Sequence, residues 1–216
     1  MIKACLFDLD GVIVDTAKYH FKAWRKMANA LGFDFSEKEN EQLKGVSRMD
    51  SLNLILGWGG VSLPEAEKIK WAAQKNDWYL EYLQAMDHKE ILPGALAFIQ
   101  DLKVKGYRIA LGSSSKNAVL ALSKVEMLHY FETIIDGTKT TRSKPDPQVF
   151  QLGADALGCR PEECIVFEDA ESGIAAAIAG GFYAVGMGSP ENLGKAHLVL
   201  SSLENMTIEN IITSII

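Results

Sequence analysis

Residues 6–16 read LFDLDGVIVDT, and this stretch decides the fold and the chemistry expected of the chain. A short apolar strand ends at Asp8, and a second aspartate, Asp10, follows two positions later, just before Gly11. Side chains two residues apart in a strand start on the same face, so two carboxylates stand together where the strand ends. Open α/β sheets place their chemistry at the carboxyl ends of their parallel strands.

The like charges of Asp8 and Asp10 repel each other unless a cation lies between them or one carboxyl is protonated. We therefore interpret Asp8 as a nucleophile that a metal keeps ionised, and Asp10 as a proton donor and acceptor. The alternative is a strand followed by an acidic turn that caps a helix and has no chemical role.

Two later strand ends carry groups suited to an anion. Residues 109–117 read IALGSSSKN, so that the Ser113 hydroxyl and the loop amides can face an anion, although Ser115 acting as a helix cap explains this loop equally well. Residues 143–147 read SKPDP, and Lys144 is either a fixed positive charge for phosphate or a solvated surface lysine.

A further strand end carries a second acidic pair. Residues 165–174 read IVFEDAESGI, in which Glu168 and Asp169 follow the apolar run and no histidine or cysteine lies beside them. Ligands that are all oxygen suit Mg²⁺.

As a set, these four segments resemble the haloacid dehalogenase superfamily of phosphoryl-transfer enzymes, and the resemblance covers essentially the whole chain. It implies that Asp8 is the phosphorylated nucleophile, that Asp10 is the general acid and base, and that Ser113 and Lys144 hold the transferring phosphoryl group. The implied magnesium ligands are Asp8, the backbone carbonyl of Asp10, Asp169 and, at the metal or next to it, Glu168. One departure is Ala170, where many relatives have serine.

Composition narrows the functional class further. The 216 residues are 48% hydrophobic, enough for a real core, and the net charge of −6 argues against nucleic-acid binding. Three cysteines without metal-ligand spacing indicate ordinary thiols in a reduced, cytoplasmic protein. The aspartates interrupt any N-terminal signal sequence, and the apolar stretch 173–188 is shorter than the roughly 20 residues of a membrane span, so no membrane association is expected.

From about residue 92 onward, short apolar strands alternate with helical segments. The predicted strands are Arg108–Gly112, Thr133–Asp136, Cys164–Phe167, Tyr183–Gly186 and Leu198–Leu200, and the predicted helices include Ala95–Lys105 and Pro147–Leu157. Continuous apolar strands separated by helices indicate a parallel sheet covered on both faces. Residues Ile2–Leu9 are predicted to form its first strand.

The pattern changes between residues 15 and 91, where no strand is indicated and apolar residues recur at helical spacing. We predict an α/β protein with a parallel-sheet, Rossmann-like core of residues 1–14 and 92–216. A helical cap domain of residues 15–91 is inserted after the first strand. The two points at which the chain passes between core and cap both lie near the aspartates. The cap could therefore hinge over the site and exclude water.

The cap contains a segment suited to a second phosphate. Residues 40–52 read NEQLKGVSRMDSL and place Lys44 and Arg48 on either side of Gly-Val-Ser. Glycine permits close backbone approach, and an arginine can bind phosphate through two parallel hydrogen bonds. The alternative is a corner between two helices with solvated basic side chains.

Within the superfamily, the cap resembles that of the β-phosphoglucomutase subgroup, in residues 40–52, in YHFKAW at 19–24 and in Lys75-Asn76. The resemblance implies that His20 and Lys75 contact the substrate or its leaving group, whereas a lone histidine is more commonly a core or surface side chain. Trp24 is either cap core, a wall of the sugar site, or both. The residues expected to bind substrate are Thr16, His20, Trp24, Lys44, Gly45, Val46, Ser47, Ser51, Lys75, Ser115, Lys116 and Asn117, with Arg48 binding the second phosphate.

The resemblance implies a phosphomutase that interconverts β-glucose 1-phosphate and glucose 6-phosphate through a phospho-aspartate and β-glucose 1,6-bisphosphate. We expect Mg²⁺ as cofactor, a small sugar phosphate as the partner, and a monomer. The preferred sugar stays open. A sugar-phosphate phosphatase with the same core is the alternative, because fold alone does not separate the two activities. A non-catalytic sugar-phosphate-binding regulator is a remote alternative, since every reactive side chain of the core is present.

Overall fold

The computed structural model describes residues 1–216 and contains one six-stranded sheet. Its strands are β1 (Ala4–Phe7), β2 (Arg108–Gly112), β3 (Thr133–Ile135), β4 (Cys164–Glu168), β5 (Tyr183–Met187) and β6 (Leu198–Leu200). Its α-helices are α1 (Ala17–Ala30), α2 (Glu37–Asn40), α3 (Arg48–Trp58), α4 (Glu65–Gln84), α5 (Ala95–Val104), α6 (Ala118–Lys124), α7 (Gln148–Ala156), α8 (Glu171–Ala179), α9 (Pro190–Leu193) and α10 (Ile208–Ile215).

All neighbouring strands are parallel, in the order β3-β2-β1-β4-β5-β6. This is the order of a doubly wound Rossmann sheet, in which ligands bind where the strand order reverses. The reversal falls at β1, between β2 and β4. The predicted α/β fold with a parallel sheet is therefore confirmed.

The first strand is shorter than predicted, because the chain leaves the sheet after Phe7. The amides of Ile13 and Val14 both donate to the carbonyl of Leu9, which closes a tight turn. A single bridge then pairs Val14 with Ile91, where the chain returns from the helical segment. The apolar residues after Gly11 are thus buried by a turn rather than by a longer strand.

The sheet is buried on both faces, as continuous apolar strands require. One face packs Cys5 and Phe7 with α5, α6 and α10, while the other packs Ala4 and Leu6 with α7 and α8. The Phe7 ring stacks on Phe167 of β4 with centroids 4.7 Å apart. These contacts hold the ends of β1 and β4, and the carboxylates that follow them, in fixed positions.

Helices α1, α3 and α4, with Phe35 and Leu43 from the segments around α2, form a separate small core over the carboxyl end of the sheet. Its buried members include Trp24, Met27, Leu52, Ile55 and Ala72. No helix of the chain combines the length and the apolar character that crossing a bilayer requires. The uncharged stretch 173–188 is divided between α8 and β5.

Candidate active site

Side chains from three neighbouring strands meet at the carboxyl edge of the sheet. Asp8 follows β1 and its amide donates to the carbonyl of Phe167 at 2.9 Å, while Ser113 follows β2 and Glu168 ends β4. All three are at least 95% buried. Parallel pairing in register therefore brings together groups that lie more than 50 residues apart in the chain.

Lys144 joins two of these carboxylates. Its Nζ lies 2.5 Å from Asp8 Oδ1 and 2.6 Å from Glu168 Oε1, with the ammonium group fully buried. Burial alone would lower the pKa of Lys144, but the two carboxylates outweigh it and raise that pKa above its usual value. The lysine is therefore a permanently charged ammonium beside Asp8, and the alternative of a solvated surface lysine is wrong.

Both oxygens of Glu168 are engaged. One accepts from Lys144, and Oε2 accepts from the backbone amide of Ala170 at 2.8 Å. In this arrangement Glu168 orients the lysine and lies next to the carboxylates that could hold a metal.

Asp10 lies in the same pocket but pairs differently. Its Oδ1 accepts a hydrogen bond from the Thr16 hydroxyl. Burial raises the pKa of Asp10 to about 6, and the negative charge of Asp8 adds to the shift. Asp10 is thus a carboxyl that holds a proton more readily than an ordinary aspartate, as a proton donor and acceptor requires.

Asp169 faces the backbone of the first strand's turn. Gly11 has φ of +82°, and a Cβ on it would collide with the Asp169 carboxylate. Burial raises the pKa of Asp169 well above its usual value, the charges of Glu168 and Asp8 add to this, and Lys44, at 3.4 Å, offsets only part. The site carries more buried negative charge than its lysines neutralise.

That surplus fits a divalent cation. No three His, Cys, Asp or Glu side chains are grouped closely enough to form a complete metal cage. Mg²⁺ does not need one, because it usually binds through one or two carboxylates and completes its coordination with waters and substrate phosphates. Asp8 and Asp169 could supply the carboxylates, and the backbone carbonyl of Asp10 a third oxygen.

A cavity of about 470 Å³ opens above these carboxylates, between the sheet edge and the helices. It is of the size that small-molecule sites occupy. Of the residues expected at the site, the lining includes Asp8, Asp10, His20, Trp24, Lys44, Gly45, Val46, Ser47, Arg48, Ser51, Lys75, Ser113, Ser115, Lys116, Asn117 and Asp169. Thr16, Lys144 and Glu168 lie behind this lining: Thr16 contacts Asp10, Lys144 contacts Asp8, and Glu168 contacts Lys144.

Arg48 reaches the cavity from the helical side. Its Nη2 donates to Asn76 Oδ1 at 2.7 Å, and the same oxygen accepts from Asn117 Nδ2 at 2.9 Å. Arg48 is therefore bound directly to α4 and, through Asn76, linked to the loop before α6. The alternative, in which Arg48 is a solvated basic side chain at a corner between two helices, does not describe this arrangement. The guanidinium and the Asn117 amide are held on one side of the cavity, with Lys116 also lining it.

His20 and Lys75 form a pair on the helices. Lys75 Nζ lies 2.9 Å from His20 Nδ1, and His20 Nε2 lies 3.9 Å from Asp10 Oδ1. Burial lowers the pKa of His20, and the nearby Lys75 ammonium lowers it further, so the ring is neutral and accepts from the lysine. Lys75 Nζ also lies 4.4 Å above the Trp24 ring, which both packs in the helical core and lines the cavity.

Two hydroxyls expected at the site are used within local structure. Ser47 accepts from the amide of Asp50 and so caps α3. Ser115 accepts from the amide of Asn117 at 3.2 Å, just before α6 begins. The N-cap residue of α6 is Asn117. The alternative in which Ser115 caps this helix is therefore wrong.

Asn76 and Ser114 are two polar lining residues that the predicted site omits. Asn76 belongs to the Lys75-Asn76 stretch that carries the resemblance, and Ser114 stands between the predicted Ser113 and Ser115, but neither was assigned a role. Both line the cavity, and both join the helical segment to the sheet: Asn76 accepts from Asn117, and Ser114 donates to the carbonyl of Gly45. Such contacts arise only from the packing of helices over the sheet.

Comparisons with known proteins agree with this geometry. The family model of haloacid dehalogenase-like hydrolases matches residues 2–181. The β-phosphoglucomutase of Bacillus subtilis is 39% identical, over 96% of this chain and 93% of its own length. The solved β-phosphoglucomutase of Clostridium difficile superposes with a TM-score of 0.95 at 42% identity, covering 99% of this chain and 97% of that one.

A phosphatase is also among the relatives. Hexitol phosphatase A of Escherichia coli is 31% identical, over 95% of this chain and 94% of its own length. Proteins similar to this chain thus include both phosphomutases and a phosphatase. Because the fold is the same, residues outside the shared core must determine which of the two activities a protein has.

Proposed function

The chain belongs to the haloacid dehalogenase-like hydrolase family, and we propose that it is a β-phosphoglucomutase. It interconverts β-glucose 1-phosphate and glucose 6-phosphate. The reaction passes through a phospho-aspartate at Asp8 and a β-glucose 1,6-bisphosphate intermediate. Glucose is the sugar in the names of the Bacillus subtilis and Clostridium difficile relatives.

One observation carries this proposal: a single cavity has groups for a phosphate at both ends. At the sheet edge lie Asp8 and Ser113, with Lys144 behind them, and on the helical side lies Arg48 joined to Asn117 through Asn76. A phosphatase needs only the first end. A mutase must also hold the second phosphate of a bisphosphate while the first one reacts.

The chain's own residues account for the transfer. Asp8 attacks the phosphoryl group, and Lys144 and Ser113 stabilise the charge on its oxygens. Asp10, with its raised pKa, gives a proton to the departing sugar oxygen and removes one from the sugar hydroxyl that attacks next. Thr16 orients Asp10 through its hydroxyl.

A divalent cation completes the site. We propose that Mg²⁺ is held by Asp8, the backbone carbonyl of Asp10 and Asp169, with Glu168 next to it. When bound, Mg²⁺ neutralises negative charge on the phosphoryl group. The surplus of buried carboxylate charge at Asp169 supports this assignment.

The helices over the site act as a cap in this proposal. Residues 15–91 form the cap domain, and residues 1–14 and 92–216 form the core. The chain leaves the core just after Val14 and returns at Ile91, and these two residues pair in an isolated bridge. His20, Lys75 and Trp24 contact the sugar from the cap. The proposed working unit is a monomer. We place it in the cytoplasm, because its three cysteines are unpaired thiols.

The test supplies β-glucose 1-phosphate with a trace of β-glucose 1,6-bisphosphate and follows products by ³¹P NMR. A mutase produces glucose 6-phosphate and releases little free phosphate. The Asp8→Asn variant is the control and produces neither. Stoichiometric release of phosphate with no isomer from any β-sugar 1-phosphate would mean that the protein is a sugar-phosphate phosphatase.

A further inference from the structure

Two serines of the core bind the backbone of the cap loop formed by residues 44–46. Ser114 Oγ donates to the carbonyl of Gly45 at 3.0 Å, and Ser172 Oγ donates to the carbonyl of Lys44 at 3.3 Å. Ser114 lies between β2 and α6, and Ser172 lies in the first turn of α8. Two separate core elements therefore hold two consecutive peptide groups of one cap loop.

The loop is shaped to receive these contacts. Gly45 has φ of +70°, and a Cβ on it would lie 2.6 Å from Ser172 Oγ and 3.2 Å from the Ala170 Cβ. A side chain at position 45 would thus push the loop away from α8. Position 170, where many relatives have serine, is alanine in this chain. The small Ala170 side chain leaves the space into which the backbone of Gly45 fits.

The loop also carries charge and substrate contacts into the site. Lys44 lies 3.4 Å from Asp169 and Arg48 begins α3 four residues later, so both side chains depend on where the loop rests. Neutral hydrogen bonds to backbone carbonyls position the loop without adding charge to a site that already contains several buried ions.

We propose that Ser114 and Ser172, together called the serine clasp, are positioning residues that hold the cap loop against the core. The clasp keeps the cavity shut while Asp8 carries a phosphoryl group, so that the sugar hydroxyl, rather than water, receives it. This last consequence rests on the proposed mutase function. The docking of the loop does not.

Hydrogen–deuterium exchange tests the docking without substrate. The amides of Lys44 and Val46 donate to the carbonyls of Glu41 and Leu43, so their exchange requires the loop to open. In a Ser114→Ala/Ser172→Ala variant, exchange in peptides covering 41–52 should rise about fivefold or more, the factor that one lost neutral hydrogen bond produces. Ser214→Ala is the matched control, because Ser214 Oγ also donates to a backbone carbonyl, in α10. Exchange in the double variant within twofold of the wild type overturns the proposal.

The division of products tests the consequence. With β-glucose 1-phosphate and the bisphosphate as above, the double variant should release about fivefold more free phosphate for each glucose 6-phosphate formed, and Ser214→Ala should match the wild type. Ser114→Thr keeps the hydroxyl and should stay close to the wild-type ratio. Faster exchange with an unchanged ratio would rule out the clasp's effect on transfer. If the wild type forms no isomer, the proposed function fails while the exchange experiment still decides the docking.

Discussion

Arg48 and Asn117 lie on one side of the cavity and share one hydrogen-bond acceptor, Asn76 Oδ1, at 2.7 and 2.9 Å. Arg48 belongs to the helical segment and Asn117 to a loop of the core. An amide oxygen has two lone pairs, so a single asparagine can hold both donors at a fixed spacing. The proposed second phosphate site is therefore assembled only where the helices rest on the sheet.

The first prediction concerns this arrangement. Arg48→Ala should reduce the rate of sugar-to-sugar transfer by a factor corresponding to about 2–5 kcal/mol, the cost of truncating one partner of a buried charge pair. Hydrolysis should then form a larger share of the remaining activity, because loss of phosphate to water does not need the second phosphate anchored. Arg25→Ala is the matched control, since Arg25 is half-exposed and paired with Asp34. Equal losses in transfer and hydrolysis would count against a second phosphate site.

The second prediction is a covalent intermediate on Asp8. Wild-type enzyme incubated with β-glucose 1,6-bisphosphate should gain the mass of one phosphoryl group, located at Asp8 by peptide mapping. Asp8→Asn should not gain it, because a carboxamide is not a nucleophile for phosphorus. The amide still accepts a hydrogen bond from Lys144, so circular dichroism should show an unchanged fold. A phosphoryl group on any other residue would contradict the assignment.

The third prediction concerns proton transfer by Asp10. Asp10→Ala should slow phosphoryl transfer to and from the sugar by about 10²-fold or more, the usual cost of losing a general acid and base. Asp15→Ala provides the comparison, since the Asp15 side chain is half-exposed and pairs with Lys18. Single-turnover kinetics measure the step directly, and an unchanged rate in Asp10→Ala would remove this residue from the mechanism.

The fourth prediction is a requirement for magnesium. Treatment with a chelator should abolish turnover, and added Mg²⁺ should restore it. Asp169→Asn should raise the Mg²⁺ concentration needed for half-maximal activity and remove most turnover, because it replaces a charged oxygen ligand with a neutral one. Asp155→Asn, on the exposed side of α7, should behave as the wild type. Full activity of metal-free protein would exclude the magnesium proposal.

The fifth prediction concerns the three thiols. Burial raises the pKa of Cys164 to about 12, and burial also raises the pKa of Cys5. A raised pKa means that the thiol stays protonated, and only the thiolate reacts with disulfide reagents. At pH 8 the folded protein should therefore react slowly with such a reagent, and all three cysteines should react once urea unfolds it. Rapid labelling of Cys5 or Cys164 in folded protein would be inconsistent with this burial.

The strands were accessible to prediction because each is a short apolar run bounded by polar residues. Strands β2 and β6 match their predicted bounds, and the predicted ends of β3, β4 and β5 lie within one residue of the observed ones. The first strand was predicted as Ile2–Leu9 but spans only Ala4–Phe7, because the chain turns after Phe7 and the Leu9 carbonyl accepts from the turn amides of Ile13 and Val14. Burial alone does not distinguish a strand from a buried turn.

The sequence by itself determined the parallel α/β core, the helical insertion and the acidic pairs at the strand ends, because these depend on periodicity and on residues close together in the chain. Only the tertiary structure decided which groups meet. Lys144 contacts Asp8 from 136 positions away, and Asn76 joins Arg48 of the helical segment to Asn117 of the loop before α6. Partners so distant in the chain are brought together by strand order and by the packing of helices over the sheet, and no local pattern encodes either.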